Sequence, residues 1–145
     1  MAVHFVDVTR DNWEECIGLS VSDAQKDFVV SNCESILLSK FEENCYPLCI
    51  YNDAEMIGFL MYYIDSETKR WELSRLMVDE EYQGNRYGKQ ALSLLLMHLK
   101  EKLGSISFYT SIESENKVMQ KLIQSLGFVP TGEVMWDEDV YSITL

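Results

Sequence analysis

Residues 82–89 read YQGNRYGK and join a strand-like run of the sequence to a strongly apolar, helix-like run. The first turn of a helix leaves backbone N–H groups unpaired, and the helix dipole favours negative charge there. Gly84 and Gly88 would let the main chain approach a ligand closely, while Arg86 and Lys89 add two cations. The junction therefore predicts a site for a phosphate or pyrophosphate. A glycine-containing turn that binds no ligand and has solvated cations would show the same residues.

Two common phosphate-binding loops do not match this junction. A Walker loop has four residues between its glycines and a Ser or Thr after its lysine, whereas here three residues intervene and Gln90 follows Lys89. A dinucleotide-binding fingerprint follows the first strand of a parallel βαβ unit, whereas this junction follows an antiparallel meander. Neither loop type is expected.

The pattern of apolar residues predicts one α+β domain over residues 1–145. Strand-like and helix-like runs follow one another in the order β-α-α-β-β-β-α-β-α-β-β. Thr9 or Asp11 is expected to cap the first helix, and residues 22–43 are expected to form a second, broken helix. Gly104 and Gly127 are expected to end the last two helices.

The composition excludes several classes of function. The 24 acidic and 12 basic residues give a formal net charge of -12, which repels polyanions, so no nucleic acid partner is expected. No run approaches the ~20 apolar residues that span a bilayer, and the first residues lack a signal-peptide pattern. We therefore expect a cytoplasmic protein with no membrane partner. Four cysteines without a C-x-x-C pair, accompanied only by His4 and His98, predict no metal site.

The run V-x-x-x-Y-Q-G-x-x-Y-G-K at the end of the predicted strand resembles the acetyl-CoA motif of the GNAT superfamily of N-acetyltransferases, Q/R-x-x-G-x-G/A. The residues that fit are Gln83, Gly84, Tyr87, Gly88 and Lys89. Arg86 stands where the family usually has its first signature glycine. The predicted order of elements is also that of the family, and ENKVMQKLIQSLGF resembles its second cofactor segment. The resemblance implies a mostly antiparallel sheet of about seven strands flanked by about four helices.

The resemblance also implies acetyl-CoA as the co-substrate. In the family, a bulge in the strand before the loop points a backbone N–H at the thioester carbonyl. The positions that the resemblance assigns to acetyl-CoA are Leu76, Met77, Val78, Gln83, Gly84, Asn85, Arg86, Tyr87, Gly88, Lys89 and Asn116. Many members have a tyrosine that protonates the leaving thiolate, but Ile123 occupies that position here. Water or another tyrosine such as Tyr109 is therefore the expected proton donor.

Acetyl transfer to an amine requires a neutral nitrogen, yet an alkylamine of pKa about 10.4 is neutral only about once in 2,500 molecules at pH 7. A carboxylate near the thioester can remove the proton, directly or through water. By resemblance, the interval from Glu72 to Gln83 matches that from the general base to the loop glutamine in the histone-acetyltransferase branch. Glu72 is therefore the expected general base, with Ser74 and Glu113 as partners or substitutes.

Runs such as QKDFVVSNCES, PLCIYND and RWELSRLMVDEEYQG resemble the bacterial spermine/spermidine (diamine) acetyltransferase branch of the family. A polycation requires carboxylates and aromatic faces at intervals. The residues expected to bind the amine are Asp27, Glu34, Tyr51, Tyr63, Glu72 and Ser74, with Glu42, Glu43, Tyr62 and Trp136 as further acids and aromatic faces.

Two alternatives remain open at this point. The acceptor could be another small amine, such as an aminoglycoside or an amino acid, or the chain could be a non-catalytic sensor that binds acyl-CoA. The apolar final hairpin could also pair its edge across a homodimer.

Overall fold

The structure is a computed structural model that describes residues 2–21 and 31–145. Seven strands form one sheet: β1 (Val3–Asp7), β2 (Cys45–Asn52), β3 (Glu55–Ile64), β4 (Trp71–Val78), β5 (Ser107–Glu113), β6 (Val129–Met135) and β7 (Glu138–Thr144). Their order in the sheet is β1-β2-β3-β4-β5-β7-β6. The neighbours are antiparallel except β4 and β5, which are parallel. The predicted fold class and order of elements are confirmed.

Four helices flank the sheet in the described part of the chain: α1 (Trp13–Ile17), α2 (Asn32–Phe41), α3 (Tyr87–Leu103) and α4 (Lys117–Ser125). The predicted cap of α1 is wrong. Asn12 is the N-cap residue, and its Oδ1 accepts a hydrogen bond from the backbone N–H of Thr9 at 2.7 Å. Of the second predicted helix, residues 22–30 lie outside the described residues. None of the described helices combines the length and apolarity needed to cross a bilayer.

Two hydrophobic clusters cover the two faces of the sheet. The larger one lies under α3 and α4 and includes Leu60, Leu92 and Phe108. The smaller one lies on the α1 side and includes Cys16 and Phe59. Because side chains alternate along a strand, these two clusters fix which face each neighbouring residue of β3 and β4 occupies.

The cysteines divide between core and surface. Cys16 and Cys49 are buried in the smaller cluster, as expected for small hydrophobic residues, and Cys45 is half-buried. Cys33 is exposed on α2.

β4 and β5 pair over only three residues, Trp71–Leu73 beside Phe108–Thr110. Directly after this ladder β4 contains a bulge, because Tyr62 of β3 pairs with Leu73 and Met61 pairs with Arg75, which leaves Ser74 without a partner across β3. A bulge bends its strand and increases the local twist. The two parallel strands therefore separate beyond this point and leave a gap in the middle of the sheet.

β6 is an edge strand, and its residues from Val129 to Val134 are exposed. The homodimer expected from the final hairpin would use this edge and stays a prediction.

Candidate functional site

A cleft of about 1020 Å³ occupies the gap between β4 and β5. Residues 72–76 of β4 form one wall, and residues 110–113 of β5 form the other. Leu38 and Phe41 of α2 line the cleft on one face of the sheet, whereas Asn116 before α4 lines it on the other face. The cleft therefore passes between the two faces of the sheet, so two reactants can approach each other from opposite sides.

The lining of this cleft is strongly acidic. It contains six carboxylates and one cationic side chain, Arg75; the six are Glu42, Glu43, Asp65, Glu72, Glu113 and Glu138. Arg75 is already engaged, because its Nη1 donates to the Ser74 carbonyl oxygen at 2.7 Å and its Nε donates to Ser35 Oγ at 3.1 Å. A cleft lined by one sign of charge concentrates ions of the opposite sign, which here are cations.

The expected general base lies at the point where the strands separate. Glu72 is only 8% exposed and lines the cleft on the face of the sheet that carries α2. Its cross-strand partner is Tyr63, whose side chain also lines the cleft. Burial raises the pKa of Glu72 above that of an ordinary glutamate, and the nearby Tyr63 hydroxyl opposes part of this rise.

The expected proton donor Tyr109 lies beside Glu72 in the parallel register of β4 and β5. Its ring packs under the Arg70 guanidinium, whose Cζ lies 4.3 Å from the ring centroid, and it does not line the cleft. Ile123 is fully buried in the larger core cluster. Among the described residues, Tyr63 is the tyrosine that lines the cleft.

The other expected amine-binding residues fall in different places. Ser74 lines the cleft, and its Oγ donates to the Met61 carbonyl oxygen at 3.0 Å. Glu34 is exposed in the first turn of α2 and is not part of the lining. Tyr51 is also outside the cleft, because its ring stacks on His4 at 5.6 Å between centroids and packs against the smaller core cluster. Asp27 lies outside the described residues.

The loop that precedes α3 adopts the backbone shape expected of a glycine-containing motif. Arg86 has φ 63°, in the left-handed region that favours glycine. The residue that departs from the family motif therefore adopts a backbone conformation in which glycine is favoured. Gly84 also has a positive φ, 86°, and a methyl group added there would meet nothing within 4 Å. This side of the loop is open to a ligand.

Side chains of the loop hold its shape through hydrogen bonds to the main chain. Gln83 Nε2 donates to the Val78 carbonyl oxygen at 2.8 Å, which closes the loop back onto β4. Asn85 Nδ2 donates to the Tyr82 carbonyl oxygen at 3.1 Å. These contacts order the loop, so its backbone amides are positioned before a ligand arrives.

The start of α3 is anchored on two sides. Tyr87 Oη accepts a hydrogen bond from Asn52 Nδ2 at 3.1 Å, which ties the helix to the end of β2. Gly88 packs close to α4, since a methyl group added there would lie 3.2 Å from Leu122 Cδ1. Lys89 is exposed in the same turn.

The remaining residues assigned to acetyl-CoA divide between the cleft and the core. Leu76 and Asn116 line the cleft, and Asn116 Oδ1 caps α4 by accepting from the Met119 N–H at 3.3 Å. Met77 is buried in the smaller core cluster, so only its main chain is available to a ligand. Beyond Leu73, the main chain of β4 has no ladder with β5 in the described structure. An elongated ligand carrying phosphate groups fits this combination of an unpaired strand edge, an open loop and a helix start.

Three charged residues of the cleft were not predicted from the sequence. Asp65 and Glu138 add carboxylates, and Arg75 adds the cation. Asp65 directly follows the long apolar run of β3, so a position at the end of a strand could be predicted from the sequence. Glu138 enters the cleft only because β7 pairs with β5, and no local signal in the sequence reveals that pairing.

The sequence of the chain is similar to those of characterised proteins. Residues 6–128 match the acetyltransferase (GNAT) family. The spermine/spermidine N(1)-acetyltransferase of Bacillus subtilis (strain 168) is 32% identical to the chain, with 92% of each protein covered. A probable spermine N(1)-acetyltransferase of Bacillus subtilis subsp. natto (strain BEST195) is 31% identical with the same coverage.

Solved structures share the fold. The PaiA N-acetyltransferase from Thermoplasma acidophilum, in complex with coenzyme A, aligns over 100% of both chains with a TM-score of 0.74 and 16% identity. The spermidine N-acetyltransferase from Vibrio cholerae, in complex with CoA and spermine, aligns with a TM-score of 0.75 and 14% identity, covering 99% of this chain and 94% of that one. At these identities the likeness concerns the fold alone.

Proposed function

The chain belongs to the acetyltransferase (GNAT) family and is an acetyl-CoA-dependent N-acetyltransferase, and from this premise we propose that it acetylates a primary amine of spermidine, spermine or another diamine. The observation that carries the proposal is the lining of the cleft, with six carboxylates against one engaged arginine. A polyamine is a flexible chain of ammonium groups, and carboxylates spaced along a cleft complement it better than they complement a single charge. The two curated relatives support the same substrate class.

The donor side of the site would hold coenzyme A. Acetyl-CoA supplies the acetyl group as a thioester. The unpaired edge of β4 beyond Leu73 would bind the extended arm, the loop and first turn of α3 would bind the phosphates, and Asn116 would border the arm on the other side. Arg86 and Lys89 would add positive charge beside the phosphates.

The acceptor side lies on the other face of the sheet, where Glu72 would act as the general base. The amine arrives protonated, and the acidic lining favours its entry. A glutamate with a raised pKa holds a proton more readily than an ordinary one. The difference between its pKa and that of an alkylammonium, about 10.4, is therefore smaller, which makes proton transfer to the carboxylate less unfavourable. Tyr63 lies next to Glu72 across the sheet. The leaving group is a thiolate whose conjugate acid has a pKa of about 8.5, so its departure depends little on a protein acid.

A panel of amines tests the substrate class. With acetyl-CoA and a thiol-release assay, we expect kcat/KM to be highest for spermidine and spermine, lower for putrescine, and lowest for kanamycin and free lysine. Spermidine and spermine carry the ammonium spacing that the acidic cleft complements, whereas the rigid rings of an aminoglycoside cannot follow it. Turnover of kanamycin without turnover of any polyamine would contradict the proposal and favour the aminoglycoside alternative.

Replacing Arg86 by glycine tests the loop. A non-glycine residue in the left-handed region is strained by about 1–2 kcal/mol, so Arg86→Gly should raise the melting temperature by about 2–8 °C. The same change removes a cation beside the proposed phosphate site, so the Kd for CoA measured by calorimetry should rise. Arg86→Ala is the matched control, because it removes the charge and keeps the strain. Unchanged CoA affinity in both variants would show that Arg86 does not contact the phosphates.

A further inference from the structure

The turn between β6 and β7 presents a tryptophan to the cleft. Trp136 and Asp137 both have positive φ, 53° and 60°, and connect Met135 to its register partner Glu138. Such turns normally carry Asn-Gly or Asp-Gly, because large side chains are strained in this conformation. The Trp136 side chain is 68% exposed and lines the cleft.

The Trp136 ring has no partner in the described part of the chain. The cation–π contacts there are those of Arg70 with Tyr109 and of Lys102 with Tyr46, and no aromatic contact includes Trp136. An indole face is the best side-chain surface for a cation. Its exposed position at an acidic cleft is therefore suited to an ammonium group that comes from outside the chain.

Two carboxylates lie directly opposite each other beside this turn. Glu113 of β5 and Glu138 of β7 are cross-strand partners, and both line the cleft. Like charges at such positions destabilise a sheet. Ser111 Oγ donates to Glu138 Oε1 at 2.7 Å, which holds Glu138 in place. The one ion pair recorded within residues 2–21 and 31–145 joins Arg70 to Glu133, so no described cation neutralises this pair of carboxylates.

We propose that Trp136, Glu113 and Glu138 form a subsite for a second ammonium group of the acceptor, remote from the reacting amine; this rests on the proposed function. Glu72 is level with Tyr109 in the register of β4 and β5. Tyr109 and Glu113 share one face of β5 and are four residues apart, which corresponds to about 13 Å along the strand. The second subsite therefore selects acceptors with two well-separated cationic centres, such as a triamine or a tetramine, over monoamines and short diamines.

Kinetics of a Trp136→Asn variant test this subsite. Asparagine suits a left-handed turn position and removes the aromatic face. We expect the KM for spermidine to rise about 2- to 5-fold, as for the loss of a cation–π contact at an exposed site. The kcat/KM for propylamine and the Kd for CoA should not change, and the melting temperature should not fall. A Glu138→Gln variant should also raise the KM for spermidine without affecting propylamine.

Trp13→Asn is the matched control, because Trp13 is also exposed but does not line the cleft. It should leave the KM for spermidine unchanged. An unchanged KM in Trp136→Asn, or an equal loss for spermidine and propylamine, would overturn the subsite while polyamine acetylation by the wild type stands.

A binding measurement keeps this test separate from that of the proposed function. If the wild type acetylates no polyamine, the proposed function fails, and fluorescence still tests the subsite. Spermidine should change the tryptophan emission of the wild type and of Trp13→Asn, and it should not change that of Trp136→Phe. Equal responses in all three proteins would overturn the subsite.

Discussion

Replacing Glu72 by glutamine should lower kcat for spermidine acetylation by about 10²–10⁴-fold, which is the usual contribution of a general base. Glutamine has nearly the same shape as glutamate. It cannot accept the proton of an ammonium group. The Kd for CoA should stay at the wild-type value, because Glu72 lies on the face of the sheet opposite Asn116 and α3. Thiol release measures the first effect, and calorimetry measures the second.

The same variant should not be less stable at neutral pH. Burial raises the pKa of Glu72 in the folded protein, so the folded state binds this proton more tightly than the unfolded chain does. Stability contributed by this group is therefore lost as pH rises from the ordinary glutamate pKa through the raised one. Glutamine does not ionise, so Glu72→Gln should not lose this stability as the pH rises. Its melting temperature should equal or exceed that of the wild type at pH 7.5, and the difference should shrink below the ordinary pKa.

Glu34→Gln provides the control for charge alone. Glu34 is exposed on α2 and lies outside the cleft, so this variant should retain wild-type turnover and CoA affinity. Full activity of Glu72→Gln would show that another carboxylate of the cleft, such as Asp65, or water removes the proton. An equal loss of CoA affinity and turnover would instead indicate that Glu72 supports the donor side.

The parts of the site that were predictable from the sequence depend on local patterns. The apolar spacing of residues 87–103 and the following Gly104 define α3 and its end, and the structure agrees at both ends. The sequence offers Ser114 or Asn116 as the start of α4, because short polar side chains suit an N-cap, and Asn116 is the residue that caps it. The glycines and cations of residues 84–89 mark the loop because an anion site requires those residue types.

The parts that were not predictable depend on pairing between distant strands. The prediction of Tyr51 and Glu34 rests on residue type alone, but the sheet places Tyr51 two strands away from β4, where its ring packs on His4. The bulge at Ser74 opens the cleft, yet no residue in its neighbourhood signals an unpaired position. The Glu113–Glu138 pair exists only because β7 lies between β5 and β6.

Replacing Gly58 by alanine should lower the melting temperature by about 5–10 °C, since overpacking a strand contact costs about 1–3 kcal/mol or more. Gly58 of β3 is the register partner of Val78 on β4. A methyl group at this position would clash with the Met77 carbonyl oxygen and lie 3.3 Å from Val78 Cα. Both are main-chain atoms, so the contact cannot be relieved by a side-chain rotation, and the two strands must move apart.

This displacement should also weaken CoA binding, because the main chain of Met77 and Val78 forms part of the edge proposed to hold the coenzyme. Calorimetry well below the melting temperature separates this effect from unfolding. Gly18→Ala is the matched control: Gly18 is in the right-handed helical region at φ -81°, and its nearest atoms to an added methyl group are at 3.4 and 3.5 Å. It should keep the wild-type melting temperature and CoA affinity. If Gly58→Ala is destabilised but binds CoA with unchanged affinity, the edge of β4 near Val78 is not part of the coenzyme site, and the donor contacts belong to the loop and α3 alone.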